Sequence, residues 1–318
     1  MHLPDILLQV PSLTEYLIGT GGWAYFKIPG KPSLKTYSQI FNFVEVNYTF
    51  YEYPDMRTVE RWRRTVPASF TFSVRCHQDL THRIGLKPVD EAYYVLGKTV
   101  SYCGVLRAPF LVLETPASYE MNGEAVGEAR DFFSSAKLSG VRLVWEVRAP
   151  LTAQATELMR DFNVVHCVDL SRQEPSLQSD VVYSRLFGKG QHNLYQFTDE
   201  ELVDIDQKIL KSQAKVAALS YHGIRMNGDA ARFLKYKQSG KFLPVTQFTG
   251  AESARAVLVE DAEFPASKAE LVERQGWKVI DLTSEKRVHL SELLNQIPDR
   301  TYNSVDEVVQ VLEVEPSE

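Results

Sequence analysis

The stretch VEVNYTFYEYP (44–54) decides how the chain is read. It begins as a strand, with Val44 and Val46 in one phase and Glu45 and Asn47 in the other, because strand residues two apart share a face. Two strongly polar groups on one face of an otherwise apolar strand require water or a partner. A strand that starts apolar (Phe41, Phe43) and turns polar at its end is one whose C-terminal end opens into a working site.

Working outward, seven further segments read as strands: 16–20, 70–75, 109–114, 141–148, 164–169, 181–185 and 216–222. Helical patterns fall at 34–41, after an Asp55 cap, and at 89–102, 123–137, 151–162, 198–213 and 227–238. Only the 170–180 interval lacks an obvious helix. Repeated strand–helix units predict a parallel sheet, and eight of them predict a closed (β/α)8 TIM-like barrel over residues 1–247. An open doubly wound sheet is the rival, but no glycine-rich first turn supports it. From 248 the texture becomes short, charged and turn-rich, with short helices at 267–274 and 290–296 around the WKVIDL strand, and a helix at 301–312 with Ser304 as its cap. This predicts a small appended α+β module over 248–318 with a frayed EVEPSE end.

In a barrel the outward phase must be apolar beneath the helices, and the inward phase turns polar only at the C-terminal mouth. The late inward positions are then Glu45 and Asn47, Arg75, Glu114, Glu146 and Arg148, Asp169, Arg185, and His222. His166 falls in the outward phase and reads as a core histidine. A mixed ring of acids and arginines is a poor stability device compared with apolar packing, which favours a functional reading. Rim aromatics (Trp23, Tyr25, Phe50, Tyr51, Tyr53) serve either as loop packing or as a stacking platform. The run RWRR (61–64) reads as an exposed helix face. Lys27, Lys189 and Arg225 follow strands and would extend a positive mouth.

Net charge of −6 and a pI near 5.7 give no global pull toward nucleic acid or anionic membrane. No apolar run approaches the roughly 20 residues of a membrane span, and MHLPDILLQVP (1–11) lacks signal-peptide features. Three scattered cysteines predict a reducing, cytoplasmic setting with no disulfide framework. Zinc, dinucleotide and P-loop motifs are missing from the sequence, so no nucleotide cofactor is expected.

The runs IGTGGWAY, FNFVEVNYTFY, TVERW, FTFSVR followed by TH, APFLVLETPASY, VWEVR, YSRLFG and FTDEEL resemble the YecE-like family (domain of unknown function 72), from residue 17 to about 245. The resemblance implies a (β/α)8 barrel and brings no established reaction. It matches Glu45, Asn47 and Tyr51 to the family's VEIN-TFY, Arg75 and His82 to FSVK…ITH, Glu146 and Arg148 to EFR-P, and Arg185 to YVRLHG. Departures are GGW for SGW at 21–23, Glu114 where an amide is usual, Phe187 for a histidine, and SYHG, with His222, for FNN.

Arginines suit a phosphate or carboxylate, and acids and histidines suit base chemistry or a divalent metal such as Mg²⁺ or Mn²⁺. The expected catalytic groups are Glu45, Glu146, Asp169 and His82. The expected substrate-binding groups are Asn47, Tyr51, Arg75, Glu114, Arg148, Arg185, Trp23 and His222. The leading expectation is a phosphodiester hydrolase, a nuclease on damaged or structured DNA. Beside it stand an enzyme acting on a sugar phosphate (lyase, isomerase or phosphatase) and a non-catalytic nucleic-acid-binding barrel. A nuclease requires a positive groove wider than the pocket.

Overall fold

The computed structural model describes residues 14–191 and 193–314. Eight parallel strands form one nearly closed sheet: β1 (Glu15–Thr20), β2 (Phe43–Val46), β3 (Thr71–Arg75), β4 (Phe110–Thr115), β5 (Arg142–Val147), β6 (Val165–Cys167), β7 (Val181–Leu186) and β8 (Val216–Tyr221). Their spatial order is β6-β5-β4-β3-β2-β1-β8-β7. The β6/β7 seam is held by a bridge from Val168 to Ser184 and by Arg185 N–H donating to the Val168 carbonyl at 3.2 Å. Beyond that seam residues 168–180 run as a loop, as the missing helical pattern predicts.

The helices are α1 (Ser33–Tyr37), α2 (Tyr48–Tyr51), α3 (Met56–Thr65), α4 (Asp90–Leu106), α5 (Gly123–Ser135), α6 (Ala153–Asp161), α7 (Asp199–Ser212) and α8 (Met226–Ser239). Their starts follow from local chemistry. The Asp55 carboxylate accepts the Thr58 N–H, and Thr198 and Glu201 form a reciprocal capping box at α7. Within the barrel, two elements escaped the sequence reading. Asn47 lies beyond β2 and opens the short α2, and residues Asp79–Ile84 form a π-helical turn closed by Gly85 at φ 76°. One or two turns of helix carry no readable period.

The two strand phases separate as barrel geometry requires. Outward residues (Val44, Phe72, Leu111, Leu143, Trp145, Leu219) join the large core beneath the helices. Inward residues (Leu17, Phe43, Phe110, Val112, Val144, Val165, Tyr183, Ala218) fill the lower barrel. His166 is outward and buried, its Nδ1 accepting the Ser176 N–H at 3.1 Å.

A second hydrophobic cluster, including Ala254, Leu258, Leu271, Ile280, Leu290 and Val308, is built by α9 (Gly250–Leu258), α10 (Lys268–Gln275), α11 (Leu290–Leu294) and α12 (Val305–Val314) around two small antiparallel pairs. The first of these helices went unread. Glu313 and Val314 belong to α12; the other residues of the EVEPSE tail, and the 1–11 leader, lie outside the described residues. The module grips the segment after β7. Val279 N–H donates to Gln196 Oε1 at 3.0 Å, His289 Nε2 donates to the Gln196 carbonyl at 2.9 Å, and Arg287 pairs with Asp199 at 2.8 Å. Among the described residues no helix is long and apolar enough to cross a membrane.

Candidate active site at the barrel mouth

Registers place the ring. Glu114 on β4 lies directly opposite Glu146 on β5, Glu45 on β2 opposite Ser73, and Arg185 on β7 opposite Ser220. Arg185, only 2 % exposed, is the hub. Its Nε donates to Glu45 Oε1 at 3.0 Å, and its Nη1 donates to Glu114 Oε2 at 2.5 Å and to Glu146 Oε2. Arg75 Nη2 donates to the same Glu114 oxygen at 2.5 Å. Arg148 pairs with Glu114 Oε1 at 3.1 Å and with Glu146 Oε1 at 3.2 Å. Three arginines therefore interlock with three glutamates, and the mouth carries no excess positive charge from this set.

Depth divides the roles. Glu45 is fully buried, and the Tyr183 hydroxyl donates to its Oε2 at 2.8 Å while lying 2.7 Å from Ser73 Oγ. Burial alone would raise its pKa, but Arg185, His222 and Arg75 outweigh burial and hold the carboxyl well below the usual range. Glu146 is likewise lowered, burial being overcome by Arg185 and Arg148. Burial, with repulsion from Arg185, pushes Arg75 down. The Arg148 side chain is 44 % exposed and is the outermost of the three. The Nε of Arg75 is buried and finds no acceptor among the described residues, although the guanidinium lies 3.5 Å over the Phe50 ring.

His222 follows β8. Its Nε2 lies 3.5 Å from Glu45 Oε1 and 3.0 Å from Ser220 Oγ, and its ring stacks on Phe187 at 4.5 Å. Burial and Arg185 lower its pKa, so the ring is neutral at pH 7. A proton on Nε2 would face the ionised Glu45, which only accepts hydrogen bonds, and would leave Nδ1 as the basic atom; the Ser220 hydroxyl can donate or accept at Nε2. The loop of Gly21 makes room: a Cβ there would stand 2.5 Å from Nδ1 and 2.7 Å from Asn47 Nδ2. Asn47 Nδ2 donates to the Gly21 carbonyl at 2.9 Å.

The structure shows what surrounds the other expected residues. Asp169, expected as catalytic, lines the same cleft as Glu146 and Arg148 and also holds the backbone at the β6/β7 seam: its Oδ2 accepts the Phe187 and Gly188 N–H groups and its Oδ1 accepts both Ser171 donors. Glu45, expected as catalytic, is fully buried, with His222 Nε2 3.5 Å from its Oε1. Trp23 packs edge-on against Trp62 of α3 at 5.2 Å and stays half-exposed. Tyr51, 60 % exposed, contacts Phe50 edge-on outside the ion-pair ring. His82 stands at the rim, edge-on to Phe50 and beside the Thr81 hydroxyl. Of the three cations expected to extend a positive mouth, Lys189 pairs with Glu201 and Arg225 with Glu260. Phe187 and Tyr183 were not named as site residues. The in-phase position of Tyr183 with Arg185 was the available signal.

Among the described residues no cluster of three or more His, Cys, Asp or Glu is arranged to hold a metal ion. A divalent cation at the three glutamates would have to displace Arg185.

Residues 17–238 match the family model "Protein of unknown function DUF72". The chain is similar in structure to a DUF72 family protein from Thermotoga maritima, at TM-score 0.59 and 19 % identity, covering 71 % of this chain and all of that one. It is also similar to one from Enterococcus faecalis, at TM-score 0.55 and 16 % identity, covering 72 % of this chain and 98 % of that one. None of the curated proteins matches it.

Proposed function

Because the chain belongs to the DUF72 family, whose description assigns no reaction, we propose from the site itself that the barrel mouth binds a small phosphate-bearing molecule and removes a proton in a base-catalysed step. The observation that carries this reading is the carboxylate-held pair Arg75 and Arg148, one with an orphaned buried Nε and the other half-exposed. A phosphate would take the place of Glu114 on these guanidinium groups, whose planar forks match its oxygens. His222 Nδ1 is the base, and Glu45 balances the imidazolium that forms. Arg75 and Arg148 stabilise charge that develops on the phosphate side. The three buried cysteines fit a reducing compartment, and we place the protein in the cytoplasm on that ground.

A nuclease requires a positive groove wider than the pocket. Matched charges in the ring and the paired Lys189 and Arg225 favour the smaller substrate instead. The test is product analysis by NMR of the protein incubated with sugar phosphates, nucleoside phosphates and labelled abasic or branched DNA, with and without Mg²⁺ or Mn²⁺. Turnover of a small phosphate that disappears in His222→Gln and Arg148→Ala supports the reading. DNA cleavage without small-molecule turnover overturns it.

A further inference from the structure

Two clefts meet at Gly190. One, of about 420 Å³, opens from the ring and is lined by Glu146, Arg148, Arg172, Phe187 and Asn193. The other, of about 550 Å³, runs on toward the C-terminal module and is lined by Leu194, Tyr195, Trp277, His289 and Ser291. Glycines keep this passage narrow-walled: a Cβ at Gly188 would stand 2.1 Å from the Tyr195 ring, and one at Gly190 would stand 2.1 Å from the Leu194 carbonyl.

We propose that the second cleft is a subsite, shared between barrel and module, for a planar ring that carries a hydrogen-bond donor and is tethered to the phosphate held at Arg148, the chemistry of a purine nucleoside 5′-phosphate. This rests on the phosphate reading above and names the substrate class for the same site. Trp277 supplies a stacking surface. Its only polar atom is already satisfied, Nε1–H donating to the Arg274 carbonyl at 2.9 Å, and with the Lys278 ammonium 5.8 Å from the ring centroid, an aromatic ligand would stack on the opposite face. Tyr195 stands edge-on to His289 at 5.1 Å. His289 supplies the polar complement. Its Nε2 donates to the Gln196 carbonyl at 2.9 Å, and in that tautomer Nδ1 is an acceptor. An acceptor in a cleft also lined by Trp277 and Tyr195 selects a ring with an N–H donor that can stack on an aromatic side chain. The module thereby gains a role, since two of the subsite's three ring-bearing residues, Trp277 and His289, come from it.

The experiment is titration calorimetry on the full chain with inorganic phosphate, ribose 5-phosphate, adenosine 5′-phosphate and purine riboside 5′-phosphate, which lacks the amine. The expected result is that adenosine 5′-phosphate binds at least tenfold more tightly than ribose 5-phosphate, with purine riboside 5′-phosphate between them. Trp277→Ala erases that gain and leaves phosphate binding unchanged. Trp277→Phe, which retains a ring for folding, retains most of it. Equal affinity for ribose 5-phosphate and adenosine 5′-phosphate overturns the subsite alone. Equal losses for phosphate and adenosine 5′-phosphate in Trp277→Ala also overturn it. No binding of phosphate or any ester to the wild type overturns the phosphate reading and the subsite together.

Discussion

Glu45 and Arg185 meet at 3.0 Å across the inside of the barrel, one on the second strand and the other on the seventh, with the carboxylate fully buried and the guanidinium nearly so. Each strand thus fixes the charge on a distant one. The same guanidinium reaches Glu114 and Glu146, so one side chain ties four strands at the mouth.

Arg185→Met removes the cation that three carboxylates share. Leaving buried charges uncompensated costs about 3–5 kcal/mol, and urea denaturation should show a loss of that size. Arg148→Ala, at a half-exposed position, should lose no more than about 1 kcal/mol. Similar losses in the two variants would contradict the division of depth.

Acid should unfold the barrel through these carboxylates. Glu45 and Glu146 have folded pKa values below their unfolded ones, so the unfolded state binds more protons in acid. Their contribution is fully present above the ordinary carboxylate range and is lost as pH falls through it toward the lowered folded values. Urea midpoints measured across that range should fall with pH, and less steeply in Glu146→Gln.

His166 gives a second pH window. Burial lowers its pKa to about 4 from 6.5. The unfolded histidine takes a proton first, so stability falls as pH drops from about 6.5 to about 4, by on the order of 2–3 kcal/mol. His166→Asn should flatten the stability profile in that interval. An unchanged slope would show that the imidazole is not held neutral behind the seam.

Gly21→Ala should displace His222, because the new methyl would lie 2.2 Å from its Cε1. Overpacking of this kind costs about 1–3 kcal/mol. The NMR signal of the His222 ring should move as well, a change that a purely local loop defect would not produce.

Much of this site was legible because barrel strands obey a strict period of two. That period placed Glu45, Arg75, Glu114, Glu146 and Arg185 together on the inward phase, and it put His166 outside. The rule weakens where strands end. Asp169 shares the inward parity, but it follows the three-residue β6, and its carboxylate turns to loop N–H groups. Trp23 sits in the loop after β1 and Tyr51 ends the one-turn α2, where a period of two says nothing about direction. The partnering of each arginine with a glutamate was also illegible, since sequence gives which charges share a mouth but not which of them touch. That pairing is what shifts the reading from a polyanion groove to a small pocket.

The central claim is that Glu114 stands in for a ligand phosphate on Arg75 and Arg148. Calorimetric titration of inorganic phosphate into wild type, Glu114→Gln and Arg148→Ala tests it most directly. Freeing the guanidinium groups in Glu114→Gln should tighten phosphate binding about tenfold, equivalent to about 1.4 kcal/mol, and Arg148→Ala should weaken it. Unchanged or weaker binding in Glu114→Gln, together with unchanged binding in Arg148→Ala, would contradict the account.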